Sequence, residues 1–110
     1  MCKNILEALD GEEAIELSQE FELDLVLLDI GLPKLNGIEV ARRIQELAPR
    51  TKILFVSQES SADVVRGALA AGACGYVVKT DAGSELVIAI NAVLRGERFV
   101  SSAVVGYDSK

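Results

Sequence analysis

The chain has 110 residues, half of them hydrophobic and a quarter charged, with a formal net charge of -6 at pH 7. This length and composition indicate one small globular domain rather than a disordered segment. The acidic balance argues against non-specific nucleic-acid binding, which needs a basic face. Because the sequence contains no histidine, a zinc site and a Ser-His-Asp triad are excluded.

Cysteine usage and hydrophobic patterning indicate the cell compartment. Cys2 and Cys74 are too few for a disulfide framework, which favours a reducing cytoplasm. The longest uncharged stretch, from Gly67 to Val78, is too short and too glycine-rich to span a bilayer. The N-terminus shows no signal-peptide pattern. We therefore expect a cytoplasmic protein with no membrane segment.

Short apolar runs alternate with amphipathic segments along the chain. The predicted strands are Asn4–Leu9, Asp24–Asp29, Lys52–Ser57 and Gly75–Lys79. The predicted helices follow them over Asp10–Glu20, Asn36 or Gly37–Leu47, Ser60–Ala71 and Ser84–Gly96. Strands and helices that alternate at these distances predict parallel βαβ units, and hence an open α/β sandwich.

Capping residues set the ends of the predicted helices. Asp10 with Glu13, and Ser60 with Asp63, have the spacing of a capping box. Gly72 is the expected C-terminal stop of the third helix. The apolar positions assigned to the last helix are Leu86, Val87, Ile90, Val93 and Leu94. From Phe99 onward no clear period remains, so this stretch is predicted to be linker; we assign the domain to residues 1–102 and a C-terminal tail or linker to 103–110.

Asp29 is the first candidate functional residue, because it ends a continuous apolar run typical of a strand buried on both faces. Open α/β sheets place their ligand crevice at the carboxyl ends of the strands. A carboxylate there is a candidate nucleophile or metal ligand. The alternative is a strand-end cap beside a solvated loop.

Ser57 and Lys79 also end predicted strands, so with Asp29 they are expected to converge on one edge of the sheet. A carboxylate, a hydroxyl and an ammonium at one crevice are suited to phosphoryl transfer. The carboxylate would attack phosphorus, while the other two groups would bind phosphoryl oxygens. The non-functional alternatives are that Ser57 caps a strand end and that Lys79 is a surface lysine.

The sequence resembles the CheY-like receiver domain of two-component response regulators. The resemblance is carried by Leu25–Asp29 with Pro33 and Gly37 behind it, by Ser57 after an apolar strand, and by Ala71–Lys79. It covers Asn4 to about Ser102 and implies a flavodoxin-like, doubly wound open parallel sheet, here with about four strands and four helices. Thr80, where many receivers have proline, resembles the branch in which a receiver precedes a helix-turn-helix DNA-binding domain.

The resemblance also implies roles for individual residues. Asp29 matches the phospho-acceptor, Ser57 the hydroxyl residue that binds the phosphoryl group, and Lys79 the lysine that contacts it. Tyr76 matches the aromatic switch residue whose ring rotates inward, with simple packing as the alternative. Gly31 would offer the backbone carbonyl that ligates Mg²⁺, the cofactor expected for the family.

The sequence departs from the family at its N-terminus, where the first strand, the first helix and the acidic pair that holds Mg²⁺ are not found. We therefore expect Mg²⁺ binding and phosphorylation to be weak or absent. The gap in the sheet could be closed by the Asn4–Leu9 strand moving inward, which would bring Asp10 toward Asp29, by domain swapping, or by oligomerisation. A further possibility is that the sequence begins inside a longer chain.

Two functions follow, and neither is that of an enzyme. The first is a receiver in a phosphorelay, which accepts a phosphoryl group on Asp29 from a sensor histidine kinase or phosphotransfer protein and switches a partner surface. The second is a non-catalytic, receiver-like interaction module that is not phosphorylated. We expect no direct nucleic-acid binding by these residues, and either a homodimer or a domain-swapped oligomer is possible. A dehalogenase-type phosphatase is rejected because Gly31 stands where its second aspartate is needed.

Overall fold

A computed structural model of the chain describes residues 4–8, 11–29, 37–102 and 104. Its strands are β1 (Ile5–Ala8), β2 (Leu25–Asp29), β3 (Lys52–Ser57), β4 (Gly75–Val78) and β5 (Phe99–Val100). Its helices are α1 (Gly11–Glu20), α2 (Gly37–Leu47), α3 (Ala62–Ala70) and α4 (Ala82–Leu94), and a 3-10 turn spans Lys79–Asp81. The predicted alternation of strands and helices is confirmed. None of the described helices is long and apolar enough to cross a membrane.

The five strands form one parallel sheet in the order β1-β2-β3-β4-β5. β1 lies directly beside β2, with Ile5 opposite Leu25 and Ala8 opposite Leu28. Of the three ways to close the expected gap in the sheet, the structure therefore has the first, in which the N-terminal strand lies inward. Asp10 lies outside the described residues.

Alternate side chains of the central strands point to opposite faces of the sheet, as the pleat requires. One face packs against α1, α2 and α3, and the apolar residues that they share include Val26, Phe55 and Tyr76. The other face packs against α4, with Leu25, Leu54 and Val77 in a second cluster. Burial on both faces explains why these strands are continuous apolar runs in the sequence.

Helix α4 contacts β3, β4 and β5. Over β1, the side chains that point to the same face are open to solvent: Ile5 is 43% exposed, and Glu7 is also exposed. Leu27 on β2 is half-buried there. This open half-face reaches the carboxyl edge of the sheet, where Asp29 ends β2.

Several predicted boundaries were wrong. Ser61, not Ser60, caps α3, since its side chain accepts a hydrogen bond from the Asp63 amide at 3.2 Å. α4 begins at Ala82 rather than near Ser84, because the preceding turn leads straight into it. Val87, assigned to the apolar face of that helix, is 71% exposed.

The prediction of linker from Phe99 onward was also wrong. Phe99 and Val100 form β5 beside Gly75 and Tyr76 of β4. Ser101 and Val104 beyond it are buried. A strand of two residues is too short to show a period of two, so its partner on β4, not its own pattern, fixes it.

Candidate functional site

Asp29 ends β2 at the carboxyl edge of the sheet, as predicted. Leu25, Val26 and Leu28 before it are fully buried and hold this interior strand in the sheet. The Asp29 side chain itself is 26% exposed. The rigid strand thus presents a carboxylate to solvent from a fixed position.

Lys79 reaches Asp29 from the far side of β3. It is the first residue of the turn after β4, and its Nζ atom lies 2.6 Å from Asp29 Oδ2. The two strands are not neighbours, because β3 lies between them. The predicted meeting of these residues is therefore confirmed as an ion pair across the edge of the sheet. Since the Lys79 side chain is 40% exposed, water screens the pair and its contribution to stability is small.

A cavity of about 100 Å³ adjoins this ion pair. Its lining includes Glu7, Leu27, Asp29, Val56 and Lys79. Glu7 and Asp29 point to the same face of neighbouring strands, because Glu7 is opposite Leu27 and Asp29 is two residues further on. Glu7 was not predicted from the sequence; its one signal is its place two residues after Ile5, on the same face of the first strand.

Ser57 belongs to a second group of hydrogen bonds, centred on Tyr76. Its hydroxyl accepts a hydrogen bond from the Glu59 amide at 3.1 Å, and it is near enough to the Tyr76 phenol to influence its ionisation. The Tyr76 hydroxyl donates to the Glu59 carbonyl oxygen at 2.7 Å. Ser57 is 5% exposed and Tyr76 fully buried. The loop after β3 is thus held by Ser57 at the end of that strand and by Tyr76 within β4.

Burial shifts the ionisation of Tyr76. Removal of the phenol from water raises its pKa above the usual 10.0, because the charged form loses hydration. The hydrogen bond with Ser57 opposes this rise in pKa, and the negative charge of Glu59 adds to it. Tyr76 therefore stays a neutral hydrogen-bond donor at physiological pH.

The described part of the site offers few ligands for a divalent cation. Among residues 4–8, 11–29, 37–102 and 104, no three acidic, cysteine or histidine side chains are grouped so that they could hold a metal ion. Mg²⁺ sites commonly use one or two carboxylates completed by phosphate oxygens and water. Asp29 and Glu7, which border one cavity, fit that limited set. Gly31, expected to provide a carbonyl ligand, and Pro33 lie outside the described residues.

A larger cavity, of about 490 Å³, lies at the opposite edge of the sheet. It is lined by residues 18–24 and 47–51, including the exposed Phe21 and Leu47. Its volume does not mark it as the site, since the paired ionic groups lie at the other end of the strands. We therefore take the edge with Asp29 as the candidate site.

Comparison with known proteins points to one family. A family model described as the response regulator receiver domain matches residues 1–91. Among curated proteins, the chain is similar to the transcriptional activator protein ExaE of Pseudomonas putida, with 38% identity over 96 residues, covering 87% of this chain and 45% of that protein. It is also similar to the nitrate/nitrite response regulator protein NarL of Escherichia coli, with 34% identity over 98 residues, covering 89% of this chain and 45% of NarL. The chain thus spans about half the length of these relatives.

Solved structures agree with the fold. A two-component response regulator of the LuxR family from Aurantimonas sp. is 37% identical and superimposes with a TM-score of 0.82, covering 86% of this chain and 68% of that one. The isolated REC domain of RcsB from Salmonella enterica serovar Typhimurium has a TM-score of 0.82 at 16% identity, over 94% of this chain and 96% of that one. At that identity the second likeness concerns the fold alone.

Proposed function

The chain belongs to the response regulator receiver domain family, and on that premise we propose that Asp29 accepts a phosphoryl group from a histidine kinase or phosphotransfer protein. The ion pair between Lys79 Nζ and Asp29 Oδ2, at 2.6 Å, is the observation that carries this proposal. A buried strand fixes the carboxylate, and a cation is already in place to bind the oxygens of an incoming phosphoryl group. The receiver family is a signalling family, and we propose that the chain acts as a cytoplasmic switch rather than an enzyme, with no direct nucleic-acid contact of its own.

The transfer would be a substitution at phosphorus. An oxygen of Asp29 supplies the electron pair for the new P–O bond, and the bond from phosphorus to the donor's imidazole nitrogen breaks. The electrons of that bond stay on the imidazole, which takes up a proton. Lys79 would then shift from the carboxylate to a phosphoryl oxygen, keeping its charge beside the added negative charge.

Ser57 and Tyr76 would couple the added charge on Asp29 to the conformation of the loop between β3 and α3. A phosphoryl oxygen that attracts the Ser57 hydroxyl competes with its bond to the Glu59 amide, which is 3.1 Å long. Because the Tyr76 hydroxyl holds the carbonyl of the same residue, the loop between β3 and α3 would move with it. We propose this loop as the surface that a partner recognises.

Mg²⁺ would be held by the Asp29 carboxylate, by the Gly31 carbonyl that the family resemblance implies, and by phosphoryl oxygens. When bound, it neutralises charge on the phosphoryl group during transfer. Glu7, which borders the same cavity, is the additional described carboxylate. Because the described residues supply few ligands, the Mg²⁺ titration should start at millimolar concentrations.

A second candidate function is an interaction module that is never phosphorylated. It is favoured by the same ion pair, because Lys79 already neutralises Asp29 without a metal ion. The small acidic set in the described part of the site also favours it. In this case the pair would be structural, and the chain would bind partners in a single state.

Intact-mass measurement after incubation with acetyl phosphate and Mg²⁺ separates the two functions. The receiver predicts an adduct with the mass of one phosphoryl group that disappears in Asp29→Asn. Asp63→Asn is the matched control, since this exposed acid on α3 lies outside the site, and it must retain the adduct. Absence of the adduct from the wild type across the Mg²⁺ titration would establish the interaction module instead.

A further inference from the structure

A buried serine ties the segment after α4 back to the start of that helix. We call Phe99–Ser102 the terminal segment; it contains β5 and the two serines after it. Ser101 is only 2% exposed. Its Oγ atom lies 3.0 Å from Asp81 Oδ2 and 2.5 Å from Glu85 Oε1. The terminal segment is thus attached to the turn before α4 and to the first turn of α4.

The Ser101 hydroxyl can lose one of its two carboxylate contacts and keep the other. A serine hydroxyl has one proton, so it donates fully to only one of these two carboxyl groups at a time. Glu85 has a second link to the terminal segment, because Ser102 Oγ donates to its other oxygen at 3.2 Å. Asp81 is the residue that Ser101 can release while the segment keeps its hold on Glu85.

Asp81 is also connected to the phosphoryl site. Lys79 and Asp81 are the first and last residues of one 3-10 turn of three residues. Lys79 at one end of the turn is bound to Asp29, and Asp81 at the other end is bound to Ser101. In so short a turn, a shift of the Lys79 backbone would be passed on to Asp81.

We propose that Ser101 is a latch through which the state of Asp29 controls the terminal segment. This inference rests on the proposed function of Asp29, and it adds a route of transmission separate from Ser57 and Tyr76. When Lys79 leaves the Asp29 carboxylate for a phosphoryl group, the turn shifts and Ser101 loses Asp81. The terminal segment, then held through Glu85 without Asp81, opens from β4 more often. Conversely, a partner that pulls on the terminal segment would alter the position of Lys79.

Backbone amides in and beyond the terminal segment report on the latch. The Ser101 amide donates to the Tyr76 carbonyl at 2.9 Å, and the Val104 amide donates to the Ser101 carbonyl at 3.2 Å. Their hydrogen-exchange rates measure local opening of this segment. NMR-detected exchange in the full chain therefore follows the latch without any assay of phosphorylation.

The decisive comparison uses Asp29→Ala. This substitution removes the carboxylate that binds Lys79 without changing any residue of the 3-10 turn or of the terminal segment. We expect the Ser101 and Val104 amides to exchange faster, by up to about five-fold, the factor for loss of one whole hydrogen bond. In a Ser101→Ala background, exchange is already fast and Asp29→Ala should add nothing. Glu97→Gln, which disrupts the exposed pair with Arg95, is the control and should leave both rates unchanged.

Unchanged exchange in Asp29→Ala, while Ser101→Ala accelerates it, would overturn the latch: the serine would hold the segment without sensing Asp29. An Asp29→Ala effect that persists in the Ser101→Ala background would overturn it as well, since another route would carry the signal. Failure of the wild type to form a phosphoryl adduct would refute the proposed function alone, because the variant comparison needs no phosphorylation.

Discussion

At the scale of single residues, Tyr76 joins the core to the functional edge. Its ring packs beside Phe55, with centroids 6.3 Å apart, while its hydroxyl donates to the Glu59 carbonyl. The sequence predicted a switch residue here but not this hydrogen bond, since the loop conformation that places the carbonyl is not encoded in a periodic pattern. Simple packing and a switch role are compatible with these contacts.

The raised pKa of Tyr76 predicts a specific alkaline transition. The stability that comes from its neutral phenol is fully present below the unfolded-state pKa of about 10.0. It is lost as the pH rises from there through the higher folded-state pKa. Urea unfolding from about pH 9 to 11 should therefore show falling stability in the wild type and a shallower fall in Tyr76→Phe.

Tyr76→Phe should also cost about 1 kcal/mol at neutral pH, because the Glu59 carbonyl loses its donor. The sequence has one other tyrosine, Tyr107. Tyr107→Phe is therefore the control, and its unfolding free energy should fall with pH as steeply as that of the wild type. Equal slopes in Tyr76→Phe and the wild type would contradict the assignment of the alkaline transition to Tyr76.

At the scale of secondary-structure elements, the packing of β4 against β5 depends on Gly75. A Cβ atom at this position would lie 2.8 Å from Leu54 Cδ1 and 2.9 Å from the Phe99 carbonyl oxygen. Gly75→Ala should therefore force β5 away from β4 and lower the free energy of unfolding by about 1–3 kcal/mol. Thermal or urea unfolding measures this change.

Gly83 offers the matched comparison, because nothing lies within 4 Å of a Cβ atom built there. Gly83→Ala in α4 should be neutral or raise stability, by no more than about 1 kcal/mol, through its higher helix propensity. Equal losses of stability in the two variants would show that backbone flexibility, rather than the close approach of β5, requires glycine at position 75.

The elements that the sequence predicted best are those whose hydrophobic pattern continues over several residues. β2 and β3 are continuous apolar runs because both faces of the sheet are covered, and α2 shows a regular apolar stripe. β5 and the buried Ser101 carry no such repetition. Their positions come from partners distant in the sequence, namely Tyr76, Asp81 and Glu85.

At the scale of the whole molecule, the parallel sheet brings Asp29 and Lys79 together from positions 50 residues apart. That meeting was predictable, since the carboxyl ends of parallel strands share one edge. The place of β1 beside β2 was not, because the sequence left three ways to close the sheet. The open half-face and the approach of Glu7 to the site both follow from that placement.

The most direct test of the central claim is chemical location of the phosphoryl group. Borohydride reduces the acyl phosphate of an aspartate to homoserine, whose position tandem mass spectrometry reads. After treatment with acetyl phosphate and Mg²⁺, we expect homoserine at position 29 of the wild-type chain and at no other aspartate. Homoserine at another position, or none at position 29 at any Mg²⁺ concentration, would contradict the assignment of Asp29 as the phospho-acceptor.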